Sequence, residues 1–348
     1  MFLTRRPRHD RRPARARVPG ATVTLTASAL VLALGVAGCA SSGPAPAPEG
    51  AATRTVEGAG GSVEVPAEPE RIAVLWRPTL AAVTLLGHHP VATMGTPGAP
   101  GQGLEPFLPG DADGALLNVV TNSPAEDDVN LEALALAEPD LILGVSTPAG
   151  AQDAIAAELS AIAPTVLLEW EGTGSWRTHL HDVAAVLGRE AEAERADAGY
   201  DAAVARAAEA IGEAGVDPGT EVSLVRLQSG TEIRLETAAS FPGQVIADLG
   251  LARPEGQEEP EGDTDFIPLS YENLDRGDGD VLFVLAGSGF PDAPDTFSDG
   301  VWADLDAVRA GRVYRADHDV WGAANLHAAH RVVEEAAEAL TGGAEPAV

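Results

Sequence analysis

The sequence is short of several residue types, and each shortage excludes something. Its 348 residues include a single cysteine, Cys39, so no disulfide can form within the chain and no site built from several thiolates is possible. All 22 basic residues are arginine, and aromatic residues make up only 4% of the chain. After residue 38 there is no apolar run long enough to cross a membrane. With so few aromatic residues, each tryptophan outside an evident core position is informative.

The lone cysteine ends an apolar stretch, and this position indicates its role. Seven arginines lie within residues 5–17, residues 21–38 are almost all apolar or small, and Val36-Ala37-Gly38 directly precedes Cys39. A basic segment, an apolar segment and a small-residue cleavage site together indicate an export signal. A cysteine at the cleavage point resembles the lipobox of bacterial lipoproteins, which implies that Cys39 begins the mature chain and carries the lipid. The alternative is a transmembrane helix, because about 18 apolar residues just suffice to span a bilayer.

We therefore expect a signal peptide at 1–38 and a lipid-anchored protein on the extracytoplasmic face of the cell membrane. Residues 40–60 are rich in Ser, Gly, Pro and Ala, so 39–60 is predicted to be a flexible tether.

The charge of the chain is strongly one-sided. Without residues 1–38, 15 basic and 52 acidic residues remain, a net charge of −37. Such a surface repels nucleic acid and favours neutral or cationic ligands or a basic partner surface. A GC-rich coding sequence would account for the composition equally well.

From residue 61 onward, short apolar runs alternate with helical patterns, which predicts a mainly parallel sheet with helices on both faces. Strands are predicted at 71–76, 91–94, 116–120, 140–145 and 165–170, and then at 221–227, 232–235, 280–285 and 312–315. Helices are predicted at 79–86, 130–137, 151–162, 175–187, 190–214, 242–248, 301–307 and 326–340, with a helical turn at 271–274 and an acidic loop at 253–265.

The helix at 190–214 interrupts the alternation, because no strand follows it closely. The predicted fold class is α/β, with two Rossmann-like lobes at 61–175 and 217–342. The segment 176–216 contains the single long helix that bridges them, and a ligand is expected in the cleft between the lobes.

An ordered set of short motifs resembles the periplasmic binding proteins of the iron–siderophore uptake class. The motifs are Pro69-Glu70-Arg71-Ile72, Leu86-Gly87, Asn130-Leu131-Glu132, Pro139-Asp140-Leu141-Ile142, Ala163-Pro164-Thr165-Val166, Phe241-Pro242-Gly243, Asp248-Leu249-Gly250-Leu251 and Gly311-Arg312-Val313-Tyr314. The resemblance implies two lobes bridged by a rigid helix, which open and close only slightly. It also implies a monomeric binding protein without enzymatic activity or cofactor, which delivers a ferric siderophore to an ABC permease in the cytoplasmic membrane. Haem, cobalamin and a free divalent metal ion are the alternative ligands.

Arginines and tryptophans near predicted strand ends are the main candidate ligand residues. Trp76 and Arg77 end the first strand, and Arg226 lies within an apolar strand, where it needs an acceptor. Guanidinium groups match the negatively charged oxygens of a ferric chelate, and aromatic walls suit a large chelate. The further candidates are Ser146, Thr147, Trp170, Trp176, Phe241, Tyr271, Trp321 and Asn325. The alternatives are ordinary core packing for the aromatic residues and an internal ion pair for Arg226. The negative net charge favours a hydroxamate siderophore.

Glu132 lies at a predicted helix start, where an acid also favours the helix dipole. The resemblance implies that Glu132 docks against permease arginines and that the other lobe offers a similar acid. Three histidine pairs are alternative candidates for a metal site: His88 and His89, His179 and His181, and His327 and His330. A metal ion needs three or four converging ligands, so a metal site is not favoured. No Ser-hydrolase, metalloprotease or phosphate-loop motif occurs, so no enzymatic activity is expected.

Overall fold

The computed structural model describes residues 52–95, 103–110, 118–121, 128–258, 264–287, 293–294 and 297–348. The predicted signal, Cys39 and most of the tether lie outside these residues. Within the described part, every helix is too short or too polar to cross a membrane.

The described chain begins with a β-hairpin. Part of the segment that was predicted to be a flexible tether, 39–60, therefore forms a strand instead. Strands β1 (Thr53–Gly58) and β2 (Gly61–Pro66) pair antiparallel around a tight turn. Gly61 follows the turn with φ +103°, a conformation that favours glycine. The alternation in Val63-Glu64-Val65 was a usable signal, but the small and polar residues of 53–60 obscured its partner strand.

The N-terminal lobe contains a five-stranded parallel sheet in the order β5-β4-β3-β6-β7. Its strands are β3 (Ile72–Val74), β4 (Ala92–Met94), β5 (Val119–Thr121), β6 (Leu141–Ser146) and β7 (Thr165–Glu169). Its helices are α1 (Arg77–Leu85), α2 (Leu131–Leu136) and α3 (Ala156–Ser160), and a 3₁₀ turn at Ala151–Ile155 precedes α3. The predicted helix at 151–162 is therefore two shorter pieces.

Two helices follow the N-terminal sheet: α4 (Trp176–Leu187) and α5 (Glu190–Glu213). At 1.5 Å per residue, the 24 residues of α5 reach about 36 Å. This length confirms the predicted bridging helix.

The C-terminal lobe contains a mixed sheet in the order β10-β9-β8-β11-β12, in which β9 is antiparallel to both neighbours. Its strands are β8 (Val222–Leu227), β9 (Glu232–Glu236), β10 (Phe266–Ser270), β11 (Val281–Ala286) and β12 (Val313–Asp317). Its helices are α6 (Phe241–Asp248), α7 (Asp306–Arg309), α8 (His318–Trp321) and α9 (Leu326–Leu340). Strand β10 was not predicted because it contains Pro268, and a strand proline is tolerated mainly at a sheet edge, which is where β10 lies.

The junction between the lobes is wider than one helix. A single apolar cluster joins β3, β6 and β7 of the first sheet to β8 and β11 of the second through residues of α1, α4, α5, α6, α8 and α9. Asn325, which caps α9, also donates from Nδ2 to the carbonyl oxygen of Pro106 at 3.0 Å. The two lobes therefore share one core.

The two sheets repeat one strand order, so β3 to β7 correspond in position to β8, β9, β10, β11 and β12. An aspartate directly precedes β6 and another precedes the corresponding strand β11, and both perform the same task. Asp140 accepts from the backbone N–H groups of Glu70 and Arg71 at 2.8 and 3.0 Å, and Asp280 accepts from that of Glu221 at 2.9 Å.

Each end of the described chain covers one sheet edge. The backbone N–H of Ala59, in the hairpin turn, donates to Leu167 of edge strand β7 at 2.8 Å. That of Ala347, in the C-terminal tail, donates to Val313 of edge strand β12 at 2.7 Å.

Candidate binding cleft

The candidate site lies at the junction of the two lobes. Each sheet faces this junction with one of its surfaces and with the carboxyl ends of its parallel strands. Side chains alternate along a strand, so Trp76 follows Ile72 and Val74 on the junction face of β3, and Arg226 follows Val222 and Leu224 on that of β8. Both residues lie at the carboxyl ends of their strands, where ligands of open α/β sheets bind.

An aromatic stack forms the N-terminal wall of the cleft. The rings of Trp76 and Trp170 meet edge to face with centroids 5.7 Å apart, and Trp170 meets His179 at 5.1 Å. His179 Nε2 hydrogen bonds the Thr79 hydroxyl at 2.7 Å. Burial lowers the pKa of His179 to about 4, so the ring is neutral at pH 7 and serves as a support for Trp170.

The indole N–H of Trp76 is a buried donor without a hydrogen-bond partner among the described residues. Leaving such a donor unpaired costs on the order of 1–3 kcal/mol. The N-terminal wall therefore presents an N–H donor that lacks an acceptor within the described residues and could donate to a ligand.

The other predicted N-terminal residues frame this stack. The Arg77 guanidinium lies 5.6 Å from the centroid of the Phe107 ring. Ser146 ends β6, Thr147 follows it, and both are half-buried. The Ser146 carbonyl accepts from the Trp170 N–H at 2.9 Å, so these residues lie at the same edge as the aromatic stack.

Two arginines form the C-terminal wall. Arg226 and Arg234 are directly opposite in the β8–β9 register, so their side chains lie on one face. Arg226, with 15% of its side chain exposed, contacts Glu236 at 3.4 Å and Gln228 at 3.2 Å. The Arg234 guanidinium lies 3.9 Å from the centroid of the Phe266 ring. Sequence reasoning missed Arg234, although the short connection between the two predicted strands indicated a hairpin that would pair it with Arg226.

The charges of this wall influence one another. Burial raises the pKa of Glu236, and the neighbouring Arg226 opposes that rise. Burial also lowers the pKa of Arg234, and Arg226 adds to the effect. Burial, Arg226 and Arg234 together lower the pKa of His318 to about 3, so this ring adds no charge at pH 7.

The two walls are held next to each other. Asp265, which lies near Arg234 and Glu236, accepts a hydrogen bond from the backbone N–H of Thr173 at 2.8 Å. Thr173 is only three residues after Trp170, so aromatic and basic walls border the same cleft.

Comparisons with known proteins identify the family of the chain. A family model described as "Periplasmic binding protein" matches residues 106–320. The chain belongs to the periplasmic binding protein family. The family consists of transport substrate-binding proteins rather than enzymes.

Three relatives illustrate the match. The probable siderophore-binding lipoprotein YfiY of Bacillus subtilis is 32% identical over 295 residues, which cover 81% of this chain and 86% of that protein. The iron(3+)-hydroxamate-binding protein FhuD of the same organism is 28% identical, covering 77% and 80%. The structure of the siderophore periplasmic binding protein from the fuscachelin gene cluster of Thermobifida fusca has a TM-score of 0.62 and 26% identity, covering 80% of this chain and 98% of that one.

Four predicted ligand residues lie in the core of this periplasmic binding protein and do not line the cleft. Phe241 and Trp321 are 0% exposed, Trp176 is 2% exposed, and Asn325 is buried. Trp176 Nε1 donates to Gln244 at 3.0 Å and Trp321 Nε1 donates to Glu335 at 2.7 Å, so both indoles have internal partners, unlike Trp76. These residues lie where α4, α6, α8 and α9 begin or end, and they fill the space between those helices.

Tyr271 also packs away from the junction. It is half-buried at the start of a 3₁₀ helix (Tyr271–Gly277) and meets Trp302 with ring centroids 6.1 Å apart. Both rings belong to the apolar cluster on the opposite face of the C-terminal sheet.

The predicted histidine pairs have separate environments. His181 contacts Asp197 at 2.6 Å, and His330 packs edge to face on Tyr200 at 5.7 Å. His327 and His330 are half-buried on α9. In the part of the chain that the structure describes, no group of three or more His, Cys, Asp or Glu side chains could hold a metal ion.

A groove of about 500 Å³ lies outside the cleft, between β1, β7 and α4. Its rim includes Glu57, Glu169 and Asp182, while Arg54 donates to the α4 carbonyls of Ala185 and Val186. None of the predicted ligand residues lines this groove.

Proposed function

We propose that this protein is the extracytoplasmic substrate-binding component of an ABC importer and that it captures a ferric siderophore between its lobes. The observation that carries the proposal is the pairing of an aromatic wall with an unpartnered donor, at Trp76 and Trp170, with a basic wall at Arg226 and Arg234. The relatives' names point to the same ligand class.

Each wall suits one part of such a ligand. Guanidinium groups donate charge-assisted hydrogen bonds to iron-bound oxygens, and the Trp76 N–H offers one further donor. The indole rings cover the apolar part of the chelate. Arg77, Ser146 and Thr147 are proposed as additional contacts from the N-terminal lobe.

We favour a hydroxamate siderophore. Glu236 and Asp265 lie beside the two arginines, so the C-terminal wall is close to neutral despite its basic residues. The mature chain also carries a net charge of −37. A triply anionic catecholate would meet less compensation here than a neutral or cationic hydroxamate.

We further propose that Glu132 and Glu272 dock the protein to its permease. Both are exposed, both stand in the first turn of the helix that follows an edge strand, and both precede the corresponding aspartates, Asp140 and Asp280, by eight residues. The repeated strand order of the sheets therefore places them at equivalent positions on the two lobes, on the side where the edge strands β5 and β10 end. A basic permease surface is the expected partner.

Cys39 is proposed to anchor this receptor by lipid to the extracytoplasmic face of the membrane. The probable lipoprotein YfiY supports the assignment.

Tryptophan fluorescence tests the ligand. Ferric hydroxamate, ferric catecholate, haem, cobalamin and free Zn²⁺ or Mn²⁺ are titrated separately, and the ferric hydroxamate is expected to quench with the highest affinity. Trp76→Phe should lose much of the signal, whereas Trp302→Phe, on the opposite face of the C-terminal sheet, should keep it. Binding of free metal ions alone would refute the siderophore assignment.

A further inference from the structure

One loop of the N-terminal lobe is bonded to the C-terminal lobe through its two middle residues, Thr173 and Gly174. This clamp loop comprises residues 172–175, between β7 and α4. Its partners lie at the start of α6 and just before β10. The connection is separate from α5 and lies beside the cleft.

The hydroxyl of Thr173 is the centre of the connection. It donates to Oδ2 of Asp265 and accepts from the backbone N–H of Phe241 at 3.1 Å. The Phe241 N–H belongs to the first turn of α6, where backbone donors have no partner within the helix. Thr173 thus links the carboxylate and the helix start of one lobe to the loop of the other.

Gln244 forms a second bridge. Its Nε2 donates to the carbonyl of Gly174 at 3.0 Å, and its Oε1 accepts from Trp176 Nε1 at 3.0 Å. One side chain of α6 therefore holds both the clamp loop and the first residue of α4.

The two lobes approach each other closely at Gly174. A Cβ atom at this position would overlap the carbonyl oxygen of Ala239, a backbone atom that cannot move aside like a flexible side chain. Only glycine allows the loop to seat at this distance.

The clamp also borders the basic wall. Asp265 influences the charges of Arg234 and Glu236, and Glu236 pairs with Arg226. Any change in the seating of the loop therefore moves the aromatic wall, which ends at Trp170, relative to the arginines.

We infer that the clamp loop fixes the separation of the lobes and thereby the width of the cleft, with Thr173, Gly174 and Asp265 as positioning residues. Its consequence for affinity rests on the proposed ligand, but its consequence for lobe separation does not. Thr173→Val keeps the side-chain shape and removes both hydroxyl bonds, Thr173→Ser keeps them, and Gly174→Ala introduces the overlap.

Spin-label distances measure the separation directly. In the full chain with Cys39→Ser, labels are attached at Leu136→Cys on the N-terminal lobe and Val301→Cys on the C-terminal lobe, where the native side chains are 78% and 42% exposed. The Cys39 substitution leaves no other cysteine to label. Thr173→Val and Gly174→Ala should lengthen the mean distance and broaden its distribution, and Thr173→Ser should restore the original distribution.

Asp280→Ala is the matched control, because it removes a carboxylate bond to backbone within one lobe and should leave the distance unchanged. With ferric hydroxamate as the probe, Thr173→Val should weaken binding by about tenfold, because a smaller fraction of the molecules has the binding-competent separation. An original distance distribution in folded Thr173→Val would overturn the inference, and this variant decides the matter if Gly174→Ala fails to fold. Failure of the unmodified protein to bind any siderophore would refute the proposed function and leave the distance result standing.

Discussion

At the scale of single residues, some polar groups in and around the cleft have hydrogen-bond partners inside the protein and others do not. The ring of His179 is bonded through Nε2 to the Thr79 hydroxyl and packs against Trp170, and the indoles of Trp176 and Trp321 have internal acceptors. The Trp76 indole has none among the described residues. This contrast separates structural aromatic residues from candidate ligand residues more sharply than their positions in the sequence could.

The arginine wall gives the first prediction. Arg226→Gln should weaken ferric hydroxamate binding at least tenfold, because a hydrogen bond to a charged group is worth about 1.5–3 kcal/mol. Calorimetric titration measures the change. Arg309→Gln is the control. Arg309 is exposed on α7, where it forms ion pairs with Asp304 and Asp306, and the variant should bind like the unmodified protein. Unchanged affinity in Arg226→Gln would remove this arginine from the site.

The buried His179 predicts a dependence of stability on pH. Its pKa is about 4 in the folded protein and near 6.5 when unfolded, so between these values the unfolded chain takes up a proton that the folded protein does not. Protonation of this ring therefore does not affect the free energy of unfolding above pH 6.5. As the pH falls from 6.5 toward 4, the free energy of unfolding decreases by about 3 kcal/mol in total. Urea unfolding of His179→Gln should show a smaller loss between pH 7 and pH 4.5 than the unmodified protein. The exposed His89→Gln should not differ from it.

At the scale of secondary structure, the helix starts show how local signals acquire tertiary roles. Asn130, Ser240 and Asn325 each cap a helix through a side-chain oxygen. Asn130 is exposed and only caps, whereas Asn325 is buried and also donates to Pro106 of the other lobe.

This difference predicts that replacing the two asparagines lowers the free energy of unfolding by unequal amounts. Asn130→Ala should lower the free energy of unfolding by about 1 kcal/mol, the usual value of a cap. Asn325→Ala should cost about 2–3 kcal/mol, because it also leaves the buried Pro106 carbonyl without this donor. Urea unfolding measures both, and equal losses would show that the interlobe bond contributes nothing.

Sequence patterns predicted most of the elements but few of the contacts between them. The alternation of apolar runs and helical patterns located the strands around Leu141, Val166 and Val281 and the long α5, since these segments depend on local periodicity. Strand β10 and the N-terminal hairpin escaped because Pro268 and the small residues before Gly58 resemble loop. The pairing of Arg234 with Arg226 was indicated by the short connection between β8 and β9, whereas the burial of Phe241 and Trp321 depends on how distant helices meet and does not follow from local pattern.

At the scale of the whole molecule, two similar lobes form one body through a shared core. The repeated strand order presents Glu132 and Glu272 as a pair, and the proposed cleft between the lobes lies on the side where the strands end. In the proposed arrangement, capture and delivery use the same side of the molecule.

The paired acids predict a loss of uptake without a loss of binding. Glu132→Arg and Glu272→Arg should each reduce siderophore-dependent iron uptake by cells several-fold, since each places a cation against a basic partner surface. Binding by the purified variants should remain unchanged, because neither residue lines the cleft. Glu158→Arg, on α3, serves as the control for charge, and a similar uptake defect in that variant would argue against specific docking.

The proposed lipid anchor predicts that the protein can lose its attachment to the membrane without losing its affinity for the ligand. Cys39→Ala should move the protein from the membrane fraction, and the released protein should bind ferric hydroxamate with unaltered affinity because the cleft begins beyond residue 70. Fractionation followed by titration of the released protein checks both parts. Retention in the membrane through the uncleaved segment 21–38 would favour the transmembrane alternative.

The covered sheet edges have a consequence for such a receptor. Proteins held to a membrane by one end are confined to a thin layer, where copies meet far more often than in free solution. An open strand edge is a template for pairing with a neighbouring chain. The turn at Ala59 occupies the edge of β7 and the tail at Ala347 occupies that of β12, so these two edges are blunted toward neighbouring molecules. The first and last described segments thus oppose pairing between copies of the receptor along these two strands.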